Sequence, residues 1–289
     1  LRAFKNTPVK YVLSASPSPE SDLNYLNQLR FIIDDFPSFW DFRNNLCINI
    51  GYGWYPNKQG KELLDLALKE YCFFKERRSV NYGDEAKVKI FRYNICEQVR
   101  YLQNRALEDF ELGNKEVKFQ VQVYNFLRSL SSGYFEDKVI CYKRQKILLK
   151  ILKDHPNKKF VIFTTQIKSC ETLAVLLRTE YISGSINKYE REKIIYKFKN
   201  NKRHLVYSVK TDKGGIGLNL SEADGVIYYE QPESYEIRVQ SQDRIVSENK
   251  KYMVFHILTK EAVDNQVYKN GKKKMKRSEF YFKVLGGMK

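Results

Sequence analysis

The stretch Thr211-Asp212-Lys213-Gly214-Gly215-Ile216-Gly217-Leu218-Asn219-Leu220 lies between two apolar runs and decides how the rest of the chain is interpreted. The runs, residues 205–209 and 225–229, each have the length and composition of a buried strand. Three glycines within four positions weaken both helices and strands, so they favour a turn in which the backbone approaches another group closely. A glycine turn at a strand end is where open α/β sheets bind ligands.

Around this turn the chain alternates apolar strands with amphipathic helices. Alternation of this kind predicts an α/β fold with a doubly wound parallel sheet that is covered on both faces. The predicted strands are residues 160–163, 181–184, 205–209, 225–229 and 252–258, and the predicted helices are residues 143–154, 170–178 and 188–199.

The first half of the chain is less regular. A short strand ending in Ser14-Ala15-Ser16-Pro17 and helices at residues 22–33 and 60–74 are predicted, with an irregular aromatic region at 36–57 between the helices. Its rings suit either base stacking or packing onto the domain, and packing is favoured because aromatic residues dominate burial. A weak strand at 87–90 and two long helices within 94–131 follow, and they predict a helical appendage.

Charge and cysteine usage narrow the class of protein. The 289 residues carry 51 Lys and Arg against 34 Asp and Glu, a net charge of +17, which predicts a polyanionic partner such as nucleic acid. The alternative is a lysine-rich surface that is merely solvated. The five cysteines form no C-x-x-C pair, which disfavours a zinc module and predicts a reducing, cytoplasmic setting. No apolar run is long enough to predict a membrane span.

The last 40 residues contain the lysine run 272–277. A helix beginning at Glu261 could pack through Val263, Val267 and Met275 while directing these lysines toward phosphates. A run of this kind is also typical of a solvated helix face, so both interpretations stay open.

The order of the motifs resembles superfamily 2 helicases, and most closely the Swi/Snf-type translocases of double-stranded DNA. In that family T-x-x-G-G-x-G-L-N-L matches Thr211 to Leu220 at every fixed position, and Gln240 and Arg244 occupy the first two fixed positions of Q-x-x-x-R-x-x-R. Residues 13–17, 73–78 and 97–101 are similar to the end of the first helicase lobe, the arginine-rich segment that joins the lobes and the helix after it. The compact connecting region looks like that of phage-encoded members.

The resemblance implies three regions with RecA-like architecture. Residues 1–80 would be the C-terminal part of lobe one, residues 81–142 a helical linker or protrusion, and residues 143–289 the RecA-like lobe two with a basic C-terminal helix. A phage-encoded member would act in the host cytoplasm.

The resemblance also implies which residues contact ligands. Gln240 and Arg244 would act in catalysis, and Gly215 and Gly217 with Arg244 would face ATP. ATP and Mg²⁺ would be held mainly by the first lobe, without a metal ligand in this chain. The implied partners are that first lobe and nucleic acid, with duplex DNA the favoured kind. The nucleic acid would be contacted by Ser14, Thr164, Gln166, Lys168, Thr211, Lys213 and Asn219.

Two departures from the family pattern bear on activity. Neither the phosphate-loop motif G-x-x-x-x-G-K-[ST] nor an Asp-Glu-x-His motif occurs, so the chain is expected to be part of a longer ATPase and unable to hydrolyse ATP unaided. Ser247 stands where the family has a second arginine, and Arg238 or Lys250 are candidate substitutes. A Lys cannot reproduce bidentate contact with phosphate.

Three functions follow as alternatives. The leading one is the C-terminal portion of an ATP-dependent translocase that steps along duplex DNA. The second is a catalytically degenerate protein that binds DNA or a partner. The third is a Rossmann-like methyltransferase, which is disfavoured because its glycine turn should follow the first strand of its domain.

Overall fold

The computed structural model describes residues 7–13, 22–50, 53–73, 87–108, 111–112, 115–116, 120–136, 138–201, 203–209, 218–247, 250–260 and 262–270. Its strands are β1 (Cys47–Asn49), β2 (Trp54–Pro56), β3 (Lys87–Tyr93), β4 (Glu111–Leu112), β5 (Lys115–Glu116), β6 (Tyr134–Phe135), β7 (Lys138–Val139), β8 (Phe160–Thr164), β9 (Tyr181–Ile182), β10 (Leu205–Ser208), β11 (Gly225–Tyr228) and β12 (Met253–Thr259). Its α-helices are α1 (Tyr25–Ile32), α2 (Phe39–Leu46), α3 (Lys58–Tyr71), α4 (Glu97–Glu108), α5 (Gln120–Ser131), α6 (Lys143–Asp154), α7 (Ile167–Leu177), α8 (Lys188–Asn200), α9 (Tyr235–Asp243) and α10 (Ala262–Asn270).

Six strands form one parallel sheet in the order β3-β12-β11-β8-β10-β9. The central strands β8 and β11 are buried along their whole length, as their continuous apolar sequences predict. Gly225 opens β11 beside Met253 of β12, and a side chain at Gly225 would collide with the Met253 carbonyl oxygen. The predicted α/β class with a doubly wound parallel sheet is confirmed.

Side chains of alternate residues in β8 enter different cores. Phe160 and Ile162 lie in the core that also contains residues of α4, α6 and α7. Val161 and Phe163 lie in the core on the opposite face, with Ile194 of α8. A third cluster joins α4 and α5 to α10 through Val263 and Val267, so the predicted packing of these two valines is confirmed. The lysine run 272–277 and Met275 lie outside the described residues.

The edge strand β3 is longer than the strand that the sequence predicts at residues 87–90. It extends from Lys87 to Tyr93 and pairs in parallel with β12 along its whole length. Residues predicted as a helical appendage therefore contribute a sheet strand as well as α4 and α5. The strand signal is weak because only one side of β3 is well packed, and its first three residues are exposed. The boundaries of the three predicted regions stay a prediction.

Residues 22–72 have a hydrophobic cluster of their own, built from α1, α2, α3 and the β1–β2 hairpin. The prediction of an irregular region at 36–57 was wrong. Helix α2 begins after Ser38, whose hydroxyl accepts a hydrogen bond from the Asp41 amide at 3.1 Å. Phe36 and Phe42 are buried with their ring centres 6.4 Å apart, as the packing interpretation predicts.

The strand predicted before residue 17 is absent from the part of it that the structure describes. Residues 10–13 are not paired in a sheet, and Leu13 is 97% exposed. Residues 14–17 lie outside the described residues.

Among the described helices, none is both long and apolar enough to cross a membrane.

Candidate functional site

The carboxyl ends of β8, β10 and β11 lie side by side at one edge of the sheet. Thr164 pairs with Ser208 of β10, and Phe163 pairs with Tyr228 of β11. Of the predicted residues, Gln166 lies in the turn after β8 and Lys168 at the start of α7. The predicted positions Ser14, Thr211, Lys213, Gly215 and Gly217 lie outside the described residues, and their roles stay predictions.

A buried carboxylate holds the turn after β8. Glu230, which follows β11, is 1% exposed. Its Oε2 accepts hydrogen bonds from the amides of Thr165 and Gln166 at 2.6 and 2.9 Å, and its Oε1 accepts one from the hydroxyl of Ser169 at 2.5 Å. One side chain thus fixes the end of β8, the turn and the first turn of α7.

Glu230 is ionised at neutral pH despite its burial. Burial alone would raise the pKa of Glu230, but the hydrogen bonds from Ser169, Thr165 and Ser132, together with the charge of Arg144, lower it below its ordinary value. A buried carboxylate is tolerated in this form because its oxygens are well supplied with donors.

Arg128 connects helix α5 to the same turn. Its Nη2 donates to the Thr165 hydroxyl at 3.0 Å and to the Gln231 carbonyl at 2.6 Å. The Thr165 hydroxyl lies 3.0 Å from Glu230 Oε2, to which it donates. The hydroxyl of Thr165 therefore links a buried arginine with a buried carboxylate.

A second buried arginine lies behind the strand ends. Arg144 of α6 donates to the Tyr93 hydroxyl at 2.8 Å, to the Tyr229 carbonyl at 2.7 Å and to the carboxylate of Asp264 in α10. Tyr93 in turn donates to the Ser131 carbonyl at 2.8 Å. Burial alone would lower the pKa of Arg144, but Asp264, Tyr93 and Tyr229 together outweigh burial and raise it. The pair ties α10 to α6 and to the sheet.

The predicted side chains at this edge differ in accessibility. Lys168 is exposed in the first turn of α7, Gln166 is half-buried, and Asn219 is exposed with its Oδ1 accepting from the Ser221 amide at 3.0 Å. Thr164 is fully buried, and its hydroxyl has no hydrogen-bond partner among the described residues. The prediction that Thr164 contacts nucleic acid directly does not fit this burial, since its side chain does not reach the surface.

Arg244 directly follows α9, the helix between β11 and β12. Its Nη1 donates to the hydroxyl of Tyr207 in β10 at 2.7 Å, and its carbonyl accepts from the Leu220 amide at 2.8 Å. Leu220 is the last residue of the glycine stretch. The structure therefore brings Arg244 next to the end of that stretch, while Gln240, half-buried in α9, lies about one helical turn before Arg244.

Residues 143–249 match the family model "Helicase conserved C-terminal domain". A structure titled "Sulfolobus solfataricus SWI2/SNF2 ATPase core in complex with dsDNA" covers 90% of this chain and 59% of its own, with a TM-score of 0.50 and 17% identity. The family match supports a helicase C-terminal domain in residues 143–249, and the structural likeness supports a fold like that of SWI2/SNF2 ATPase cores.

Other relatives agree with this assignment. The mouse "DNA excision repair protein ERCC-6-like" is 26% identical over 192 residues, which is 61% of this chain and 15% of the relative. "Protein CHROMATIN REMODELING 19" of Arabidopsis thaliana is 26% identical over 208 residues, which is 67% of this chain and 27% of the relative. The chain thus spans less than a third of either relative. The C-terminal part of the Fun30 ATPase domain has a TM-score of 0.50 at 15% identity, covering 70% of this chain and 96% of that one.

The family assignment decides between two of the sequence-based interpretations. A helicase domain replaces the methyltransferase alternative for the glycine stretch. The predicted likeness to phage-encoded members receives no support from these relatives.

Arg238 and Lys250 are the candidate substitutes for the second arginine that Ser247 replaces, and both are bonded to other groups. Arg238 Nη2 lies 3.0 Å from Nε2 of His256, and its guanidinium carbon lies 4.9 Å from the centre of the Tyr268 ring. Lys250 Nζ donates to the Ser221 carbonyl at 2.6 Å. Both cations thus already interact with other groups of the chain, and Ser247 has no charge to offer in their place.

The residues that sequence reasoning missed are Glu230, Arg128 and Arg144. Glu230 had one detectable signal, because a charged residue directly follows a buried strand. The arginines had none, since their partners are separated from them by 37 to 120 positions in the chain.

Proposed function

We propose that this chain is the lobe of an ATP-dependent duplex-DNA translocase that contacts the DNA backbone and supplies an arginine to the ATP cleft. The observation that carries the proposal is the placement of two polar segments of the domain. Gln166 and Lys168 follow the carboxyl end of β8, and Arg244 is bonded to the end of the glycine stretch. The domain division is part of the proposal. So is the cytoplasmic setting, which the five free thiols support.

The DNA contacts would be made through phosphates. Lys168 is exposed at the start of α7, where helix amides and a cationic side chain both favour an anion. Asn219 is exposed at the end of the glycine stretch, and Ser14, Thr211 and Lys213 are further candidates from the family pattern. Contacts of this kind give affinity that depends strongly on salt and weakly on sequence.

Binding to a labelled duplex, measured by fluorescence anisotropy over a range of salt concentrations, tests this contact. We expect Lys168→Gln to lower the slope of log K against log salt by about one unit. Lys197→Gln is the matched control, because it removes the same charge from an exposed lysine that pairs with Glu180. Equal slopes for the two variants, or no duplex binding by the unaltered chain, would overturn the proposed contact.

ATP and Mg²⁺ would be held mainly by another lobe. Among the described residues no group of three or more His, Cys, Asp or Glu could bind a metal ion. This chain's contribution would be the cationic side chain of Arg244, with Gln240 near it and Gly215 and Gly217 as predicted close approaches. An arginine of this kind stabilises the charge that develops during phosphoryl transfer.

DNA-stimulated ATPase activity of a protein that joins this chain to its phosphate-loop lobe tests the second half of the proposal. We expect Arg244→Lys to lower kcat by about 10³-fold or more, and Ser247→Arg to raise it.

A catalytically degenerate binding protein is the second candidate, and Ser247 with the engaged side chains of Arg238 and Lys250 favours it. Duplex binding without ATPase activity would establish this candidate and exclude the translocase, provided that the two-lobe protein and its Ser247→Arg variant both behave in this way.

A further inference from the structure

The Thr165 turn is held from two directions by groups that are themselves buried. Glu230 accepts from two consecutive amides of the turn and from Ser169 in α7. Arg128 reaches the same turn from α5 through the Thr165 hydroxyl, and it also bonds the Gln231 carbonyl at the end of the neighbouring strand. The turn therefore cannot rotate without breaking bonds to two other segments.

Burying these charged groups costs desolvation free energy, so stability alone does not explain the arrangement. Arg128 is 5% exposed, and its Nη1 has no hydrogen-bond partner among the described residues. Taking charges out of water costs several kcal/mol per ion in general, and apolar residues of similar volume often stabilise a core equally well. What a charged pair adds is direction, since each hydrogen bond fixes the orientation of the group that it reaches.

The side chains that this network orients, Gln166 and Lys168, lie at or near the surface. Gln166 has its amide bonded to Glu230, and Lys168 lies two residues further on, exposed in the first turn of α7. Ser169, which follows Lys168, is fully buried and donates to the same carboxylate. Lys168 is thus placed between two points that Glu230 holds.

We propose that Glu230 and Arg128 are positioning residues, which orient Gln166 and Lys168 toward the phosphates of a bound duplex without touching the duplex themselves. This inference rests on the proposed DNA contact of the same edge. It also gives helix α5 a part in DNA binding, because Arg128 of α5 is hydrogen-bonded to the turn and so couples the position of the turn to that of α5.

Thr165→Val is the sharpest test, since it removes only the hydroxyl that links Arg128 to Glu230. Its matched control is Tyr93→Phe, which removes a buried hydroxyl that links Arg144 to the Ser131 carbonyl and bonds no residue of the turn. Duplex affinity of the full chain is measured for both variants, together with urea unfolding that gives the folded fraction.

We expect Thr165→Val to weaken duplex binding by roughly 3- to 10-fold and Tyr93→Phe to leave it unchanged, although both lower stability. Glu230→Gln is expected to weaken binding in the same way. In a background that carries Gln166→Ala and Lys168→Gln, the effect of Thr165→Val should disappear, because the side chains through which it acts are gone.

Two results would overturn the inference. One is an equal affinity of folded Thr165→Val, folded Glu230→Gln and the unaltered chain while Lys168→Gln weakens binding, which leaves the DNA contact intact and removes only the positioning role. The other is a Thr165→Val effect that persists in the doubly substituted background. Failure of the unaltered chain to bind duplex would overturn the proposed DNA contact and this inference together.

Discussion

The two parts of the candidate site, the turn after β8 and the end of α9, use charge in opposite ways. At the turn after β8 the charged groups Glu230, Arg128 and Arg144 are buried and hydrogen-bonded to backbone and side chains. At the end of α9 the charged group Arg244 is half-buried and bonded to the hydroxyl of Tyr207.

This difference separates groups that hold the structure from groups that can reach a ligand. A fully buried ion contributes only through the protein groups that surround it, because a ligand from solvent cannot contact it. A half-buried arginine keeps part of its side chain accessible to solvent. We infer that the first part of the site is built for fixed geometry and the second for contact with a ligand.

Breaking the buried pair of Arg144 and Asp264 should have the largest effect. Asp264→Asn leaves Arg144 charged in a site where it is 1% exposed, and we expect the free energy of unfolding to fall by about 3–5 kcal/mol. Urea denaturation monitored by circular dichroism measures this loss.

The control for this prediction is the exposed pair of Lys197 and Glu180, whose side chains are 59% and 42% exposed. Lys197→Gln should cost less than about 1 kcal/mol. Replacing Arg144 and Asp264 together by Met and Leu should recover much of the loss, since no uncompensated charge then remains. A similar loss in Asp264→Asn and Lys197→Gln would contradict the contrast between buried and accessible charge.

Glu230 should give the stability of the turn after β8 a characteristic dependence on pH. Its pKa is lower in the folded chain than the ordinary value of 4.5 because of the hydrogen bonds that it accepts, although burial opposes this shift. Its contribution to stability is therefore complete above pH 4.5 and is lost as the pH falls through the folded-state pKa. Glu230→Gln should lower the free energy of unfolding by about 1–3 kcal/mol near neutral pH.

The measurement is urea denaturation of both proteins at several pH values between neutral and acid. The difference between the parent and Glu230→Gln should shrink once the pH is well below 4.5. A difference that stays constant over this range would mean that the carboxylate charge of Glu230 does not stabilise the turn.

The sheet could be predicted from the sequence because its strands are continuous apolar runs, and the helices because their apolar residues recur with helical spacing. Strand β3 was harder, since its first residues are exposed and its partner β12 is distant in the chain. Helix α2 and the β1–β2 hairpin were missed because aromatic residues and glycines obscure their periodicity, although Ser38 was available as a helix cap.

The candidate site divides in the same way. The placement of Gln166 and Lys168 beside the strand ends follows from motif order, because parallel strands end on the same side. The network behind them could not be predicted, since Arg128 and Arg144 read as ordinary positions of amphipathic helices. Only the packing of α5 and α6 on the sheet turns them toward Gln231 and Tyr229.

The smallest expected effect belongs to the bond that holds Arg244. Tyr207→Phe removes the hydroxyl to which Arg244 donates but keeps the ring, whose centre lies 5.2 Å from the guanidinium carbon. We expect a loss of about 0.5–1.5 kcal/mol in the free energy of unfolding, because a half-buried guanidinium can replace the lost bond with water. A double-mutant cycle with Arg244→Gln, measured by urea denaturation, isolates the contribution of this bond. A loss as large as that of Asp264→Asn would show that Arg244 is fixed as firmly as the buried arginines, and the contrast between the two parts of the candidate site would then be wrong.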